Sequence, residues 1–224
     1  MKKDALLLVL FCFLVMPLKA QEKPTDPNTL YKYGLQYYYQ TPNKALKCFV
    51  DACIGFREIG DKESELDAWI QIGSLKLELN DNQDALFAYR QAESIADSLQ
   101  NTGKLMESLI SQYTIYEKLG DAQAMQSTKR KMDSLSQTTN DGHTLFIYHR
   151  FLGNQASDQG NYNLAELWCQ KSNPYIQQLD KSKYQEDRFS YYLSLRDLYR
   201  KSGQWEEALT FNQLTRNEQK KQSG

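Results

Sequence analysis

Residues 66–92, LDAWIQIGSLKLELNDNQDALFAYRQA, read as two helices joined by one turn. Apolar residues recur at helical spacing through Trp69, Ile72 and Gly73, stop at Asn80-Asp81, and resume through Ala85, Tyr89 and Ala92. The small residues Gly73, Ala85 and Ala92 let two antiparallel backbones approach closely, while Trp69 and Tyr89 fill the space beside them. A lone helical hairpin cannot bury such faces, so this unit predicts neighbours of the same kind.

Outward from it, the pattern recurs. The small residue early in each second helix falls at Ala45, Ala85, Met125, Ala165 and Ala208, in steps of 40, 40, 40 and 43. The pairs before those residues are Asn80-Asp81, Gly120-Asp121, Gly160-Asn161 and Gly203-Gln204, types that accept unusual backbone angles or cap the following helix. Turns between units are expected near Gly60-Asp61, Asn101 to Gly103, Asn140 to Gly142 and Asp180-Lys181. The units then span approximately 29–60, 62–101, 104–138, 142–180 and 184–221, an array over 29–221. Val and Thr are sparse, so strands are not expected.

These residues, and GQWEEALTF from Gly203 to Phe211 most closely, resemble the tetratricopeptide repeat (TPR) family. The resemblance implies an all-α fold, a right-handed α-α superhelix of about five helical hairpins. The period of 40 exceeds the family's usual ~34 residues, which implies longer second helices. Two units depart from the pattern. Tyr113 and Met125 stand where small residues are expected, so the third hairpin either opens or slips by one residue onto Ala124. Pro174 falls inside a second helix, where its ring clashes with the carbonyl four residues back, so that helix is expected to kink, stop early or split.

Residues 1–20 read as a cleaved secretory signal: Lys2 and Lys3 precede an apolar run from Ala5 to Leu18, and Ala20 ends it. The run is short of the ~20 apolar residues of a membrane span. Retention as an anchor is the other reading, because Leu18 is bulky for a position three before the cut. Phe11 before Cys12 does not fit a lipoprotein signal, and residues 21–28, with Pro24 and Pro27, read as an exposed lead-in. The mature protein is thus expected in the periplasm or outside the cell, touching a membrane only through an uncleaved signal or a partner.

Losing Lys2, Lys3, Lys19 and Asp4 from 27 basic and 28 acidic residues leaves 24 and 27, a net charge near −3. That balance offers nothing to nucleic acid. Of the remaining cysteines, Cys48 and Cys53 are five apart on one predicted helix, too far for a disulfide, and with Cys169 they read as small packing residues.

Catalytic chemistry has little to work with. His143 and His149 are six apart rather than the four that place two ligands on one helical face, and no Cys or carboxylate cluster completes a metal site. Phosphate-loop, G-x-S-x-G and metalloprotease motifs are absent from the sequence, so neither an enzyme nor a cofactor is expected. Binding is the better expectation. In the TPR family the first helices line a concave groove, and the matching positions here include Tyr31, Tyr38 and Tyr39, then Asp67, Ile70 and Ser74, Glu107 and Thr114, Arg150 and Asn154, and Asp197 and Arg200. The tyrosines have a second reading, packing of the first unit. Arg150 and Asn154 resemble the basic residue and Asn of the family's carboxylate clamp, but Ser194 stands where the next unit would supply another Asn, so the clamp is at most partial.

The expected function is an exported scaffold that binds a protein or peptide along the concave face. The alternative is the ligand-sensing, extracytoplasmic part of a truncated or split sensor kinase or transcriptional regulator, whose relatives continue into a membrane helix and output domain, whereas this chain ends at RNEQKKQSG.

Overall fold

The computed structural model describes residues 26–178 and 184–222. The stretch read as a signal peptide and the expected Asp180-Lys181 turn lie outside the described residues. Ten helices are present among them, and no strand. In chain order they are α1 (Pro27–Tyr37), α2 (Pro42–Ile59), α3 (Lys62–Glu78), α4 (Asn82–Ser98) and α5 (Thr102–Leu119). Then follow α6 (Ala122–Thr138), α7 (Gly142–Asp158), α8 (Tyr162–Gln178), α9 (Gln185–Lys201) and α10 (Trp205–Gln222).

The chain forms two compact units, residues 1–61 and 62–224. In the first, α1 packs on α2 around Phe49, whose buried ring fills the space left by Gly34: a Cβ there would sit 2.5 Å from the ring. In the second, four hairpins stack, and one apolar core runs from Met106 and Leu109 through Phe146 and Cys169 to Tyr191 and Leu198. Smaller clusters around Leu66 and around Ala85 and Tyr89 hold its first hairpin.

The turns are economical because one residue closes a helix and opens the next. Asn80, Gly120, Gly160 and Gly203 adopt φ of 60°, 70°, 77° and 79°, the left-handed conformation that ends a helix. The following N–H then reaches the carbonyl five residues back, as in Asp121 N–H to Tyr116 O (2.9 Å) and Asn161 N–H to Ala156 O (2.9 Å). The same Asp121 caps α6 by accepting from the Ala124 N–H at 2.9 Å.

Between hairpins, Asp141 does the same for α7, accepting from the Thr144 N–H at 2.7 Å and from its hydroxyl. Burial raises the Asp141 carboxyl, but the Thr144 hydrogen bonds outweigh it and hold the pKa below the ordinary 3.8. A depressed folded value stabilises the protein fully above the unfolded pKa and is lost as pH falls through the folded one. Asp141→Ala is therefore expected to cost about 1 kcal/mol near neutral pH, with urea midpoints of the two proteins converging below about pH 4.

Three local expectations need correction. The lead-in ends at Asp26, which caps a helix already begun at Pro27; proline's missing N–H costs nothing at the first helical position. Gly103 and Gly142 lie in the first turns of α5 and α7 rather than in the connecting turns. The helix α8 runs unbroken through Pro174. Pro174 and Gln170, whose carbonyl loses its donor, are exposed, while Cys169, Ser172 and Ile176 anchor both sides of the proline on the buried face.

The third unit keeps its register. Thr128 and Met132 are buried on α6, matching Ala88 and Ala92 on α4, so no slip onto Ala124 occurs. The expected opening is what is found: α5 and α6 pack less closely than the two helices of any other hairpin. Gly73 faces the Tyr89 ring in the second unit; forty residues on, Tyr113 stands on the first helix and Lys129 on the second. The Lys129 ammonium reaches Asp133 and the Tyr148 hydroxyl at 2.5 and 2.8 Å.

Candidate functional site

The first helices of the 62–224 unit line a continuous recess. One cleft of about 680 Å³ lies across α3, α5 and α7, walled by Ile70 and Ser74, by Glu107, Ile110, Thr114 and Glu117, and by Arg150, Phe151, Asn154 and Asp158. A second of about 460 Å³ lies between α7 and α9 and shares Arg150, Asn154 and Asp158, adding Ser190, Leu193, Asp197 and Lys201. Arg150 stands where the two meet.

The electrostatics single out that residue. Lys104 makes ion pairs to Glu107 (3.2 Å) and Asp67 (3.4 Å), and although burial pulls its pKa down, those carboxylates raise it overall. Lys201 pairs with Asp158 at 2.9 Å. Arg150 is partly buried with its guanidinium 5.7 Å from the Phe146 ring centre, and no carboxylate among the described residues lies within ion-pair distance of it. Burial pushes its pKa down, and the more distant Asp187 and Glu107 only partly offset this. A cation already desolvated but not paired gains more from an arriving anion than one in open water does.

No family model matches this chain, and no curated protein matches it. Among solved structures, BtubC (BKLC) from P. vanneervenii is similar over 88% of this chain and 90% of its own, at 10% identity and a TM-score of 0.52. The kinesin light chain nearly identical TPR-like repeats from Podosopora anserina are similar over 90% of this chain and 98% of their own, at 14% identity and a TM-score of 0.51. The fold is that of TPR-like repeat proteins. At these identities the likeness concerns fold alone, and the site has to be argued from this chain.

Within the TPR-like array, Ile70, Ser74, Glu107, Thr114, Arg150 and Asn154 come together in the larger cleft, and Asp197 lines the smaller. Asp67 is engaged by Lys104 instead. Arg200 is exposed and lies 3.7 Å from Asp197, which also accepts from Arg196. In the first unit, Tyr31 packs edge-on against Phe49 and Phe56, and Tyr38 is buried against Phe49, whereas Tyr39 is 87% exposed.

Several lining residues escape a one-position-per-turn reading. Phe151 and Gln155 follow Arg150 and Asn154 directly, and both neighbours face the cleft because α7 turns a broad side to it. Tyr89, a packing residue by its spacing, is buried, yet its hydroxyl reaches the wall and bonds Ser74 Oγ at 3.0 Å. The signal available for it was the hydroxyl itself, which a buried tyrosine must satisfy. His149 stacks on Trp168 at 5.4 Å, and burial lowers its pKa. His143 bonds Asp187 at 2.9 Å, joining the first turns of α7 and α9. No group of three or more potential metal ligands converges among the described residues.

Proposed function

We propose that the mature protein is an exported scaffold that binds a protein or peptide segment along α3, α5, α7 and α9, with Arg150 receiving a carboxylate of the partner. The carrying observation is the Arg150 guanidinium, set in the wall of both clefts without an ion-pair partner among the described residues. Asn154, one turn further along the same helix, offers amide hydrogen bonds to the partner's backbone. The charge and apolar character of the amino-terminal twenty residues support delivery to the periplasm or the exterior.

Peptides selected from a library with free carboxyl termini provide the test. Arg150→Ala is expected to weaken their binding about tenfold or more, the scale of a charge-assisted hydrogen bond. Titration by fluorescence anisotropy that gives the same affinity for both proteins would exclude Arg150 as the anchor. Fusing residues 1–30 to a reporter active only outside the cytoplasm checks export, and an inactive fusion would count against it.

A further inference from the structure

The larger cleft carries charges of both signs in a fixed order, and that order sets the direction of whatever lies in it. At the level of Arg150 the walls are apolar, with Ile70, Ile110 and Phe151. Further along the helices stand Thr114 and Asn154, groups suited to hydrogen-bonding a peptide backbone. Beyond them lies an acidic end. The Glu117 carboxylate is exposed, with no hydrogen bond or ion pair among the described residues, and Asp158 is 73% exposed and meets Lys201. Glu107, at the other end, pairs with Lys104 as Asp158 does with Lys201, so among the described residues Glu117 is the carboxylate of this cleft without an ion pair.

The backbone adds to this polarity. Consecutive helices in the stack reverse direction, so α3, α5 and α7 run the same way and finish on one side, at Glu78, Leu119 and Asp158. Each carboxyl end carries roughly half a negative charge. A cation is favoured there, and an anion is favoured beside Arg150.

Distance fixes the spacing of the two groups. Asp158 lies eight residues after Arg150, about 12 Å along the helix at about 1.5 Å per residue. An extended chain covers that span in about four residues.

We propose that this cleft selects an extended peptide with an apolar terminal residue, its carboxylate on Arg150, and a Lys or Arg about four positions earlier against Glu117 and Asp158. This rests on the reading of Arg150 as the carboxylate anchor; the basic residue and its spacing are the new element.

The probe is a fluorescein-labelled peptide, Ser-Gly-Ser-Lys-Ala-Thr-Ala-Leu, with a free carboxylate. It is compared with a version carrying norleucine for Lys, a version amidated at the terminus, and one with both changes. Each is titrated against the protein, Arg150→Ala, and the double variant Glu117→Gln/Asp158→Asn, with circular dichroism confirming that the variants fold. Norleucine is expected to weaken binding to the protein about fivefold and to make no difference to the double variant. Amidation is expected to weaken binding about tenfold in the protein and to make no difference in Arg150→Ala. If norleucine binds as well as Lys while amidation still matters, this inference falls and the anchor stands. If amidation is without effect, the anchor and the inference both fall, as they do if none of the peptides binds.

Discussion

Phe146→Ala is expected to destabilise the 62–224 unit by about 3–5 kcal/mol, the range for emptying a buried aromatic site. Phe146 is fully buried on α7, and its ring meets Tyr191 of α9 edge-on at 5.5 Å and 76°. It belongs to the core that also holds Met106 and Leu109 of α5, and that core joins three successive first helices. Helices held on several sides close poorly over a void, which places the cost toward the upper end of the range. With about 2–4 °C per kcal/mol for a domain of this size, the melting temperature should fall by roughly 6–20 °C. The same chemical change at Phe87, which is 56% exposed, should cost less than about 1 kcal/mol. Because repeat arrays lose cooperativity readily, hydrogen exchange should be read helix by helix, and α5, α7 and α9 should lose the most protection. Equal losses at Phe146 and Phe87 would mean that the core does not pass through Phe146.

The second large effect is of the opposite kind. Ala85→Trp forces an indole into the interior of the α3–α4 hairpin, where Ala85 has no exposed surface and belongs to the cluster of Tyr89 and Ile115. Across the same interface a Cβ added at Gly73 would already sit 3.0 Å from the Tyr89 ring, so no slack exists to accept the added volume. Overpacking of this kind costs about 1–3 kcal/mol, and the size of the change puts Ala85→Trp at the top of that range. Ala208, the corresponding position of the last unit, retains 8% exposure, and its neighbour Leu209 is 58% exposed. Ala208→Trp should therefore be better tolerated. Equal melting temperatures for the two variants would show that the hairpins are not closely packed at this position.

At the site, the resemblance to the TPR family, which assigns concave-face positions by their spacing along each first helix, pointed to Ile70, Ser74, Glu107, Thr114, Arg150 and Asn154 as residues of one stripe. What spacing lacked was any account of pairing across helices. Asp67 and Arg150 are equivalent in kind, charged residues on a first helix. Lys104 answers one and nothing within ion-pair distance among the described residues answers the other. The YYY run shows the same gap: Tyr38 and Tyr39 are adjacent in sequence and differ from 9% to 87% exposure.

The sequence by itself determined what is local and periodic. The 40-residue step, the left-handed turn residues at Asn80, Gly120, Gly160 and Gly203, and the capping roles of Asp81 and Asp121 depend on a few adjacent residues, so short-range physics settles them. Only the tertiary structure decided how each irregular unit is accommodated. Pro174 stays within α8 because packing on the opposite face outweighs the lost hydrogen bond, and the third hairpin keeps its register, with Thr128 and Met132 buried, while its two helices pack less closely than those of the other hairpins. The state of Arg150 is of the same origin: whether a guanidinium is satisfied depends on residues contributed by neighbouring helices some forty positions away, and no local rule reaches that far.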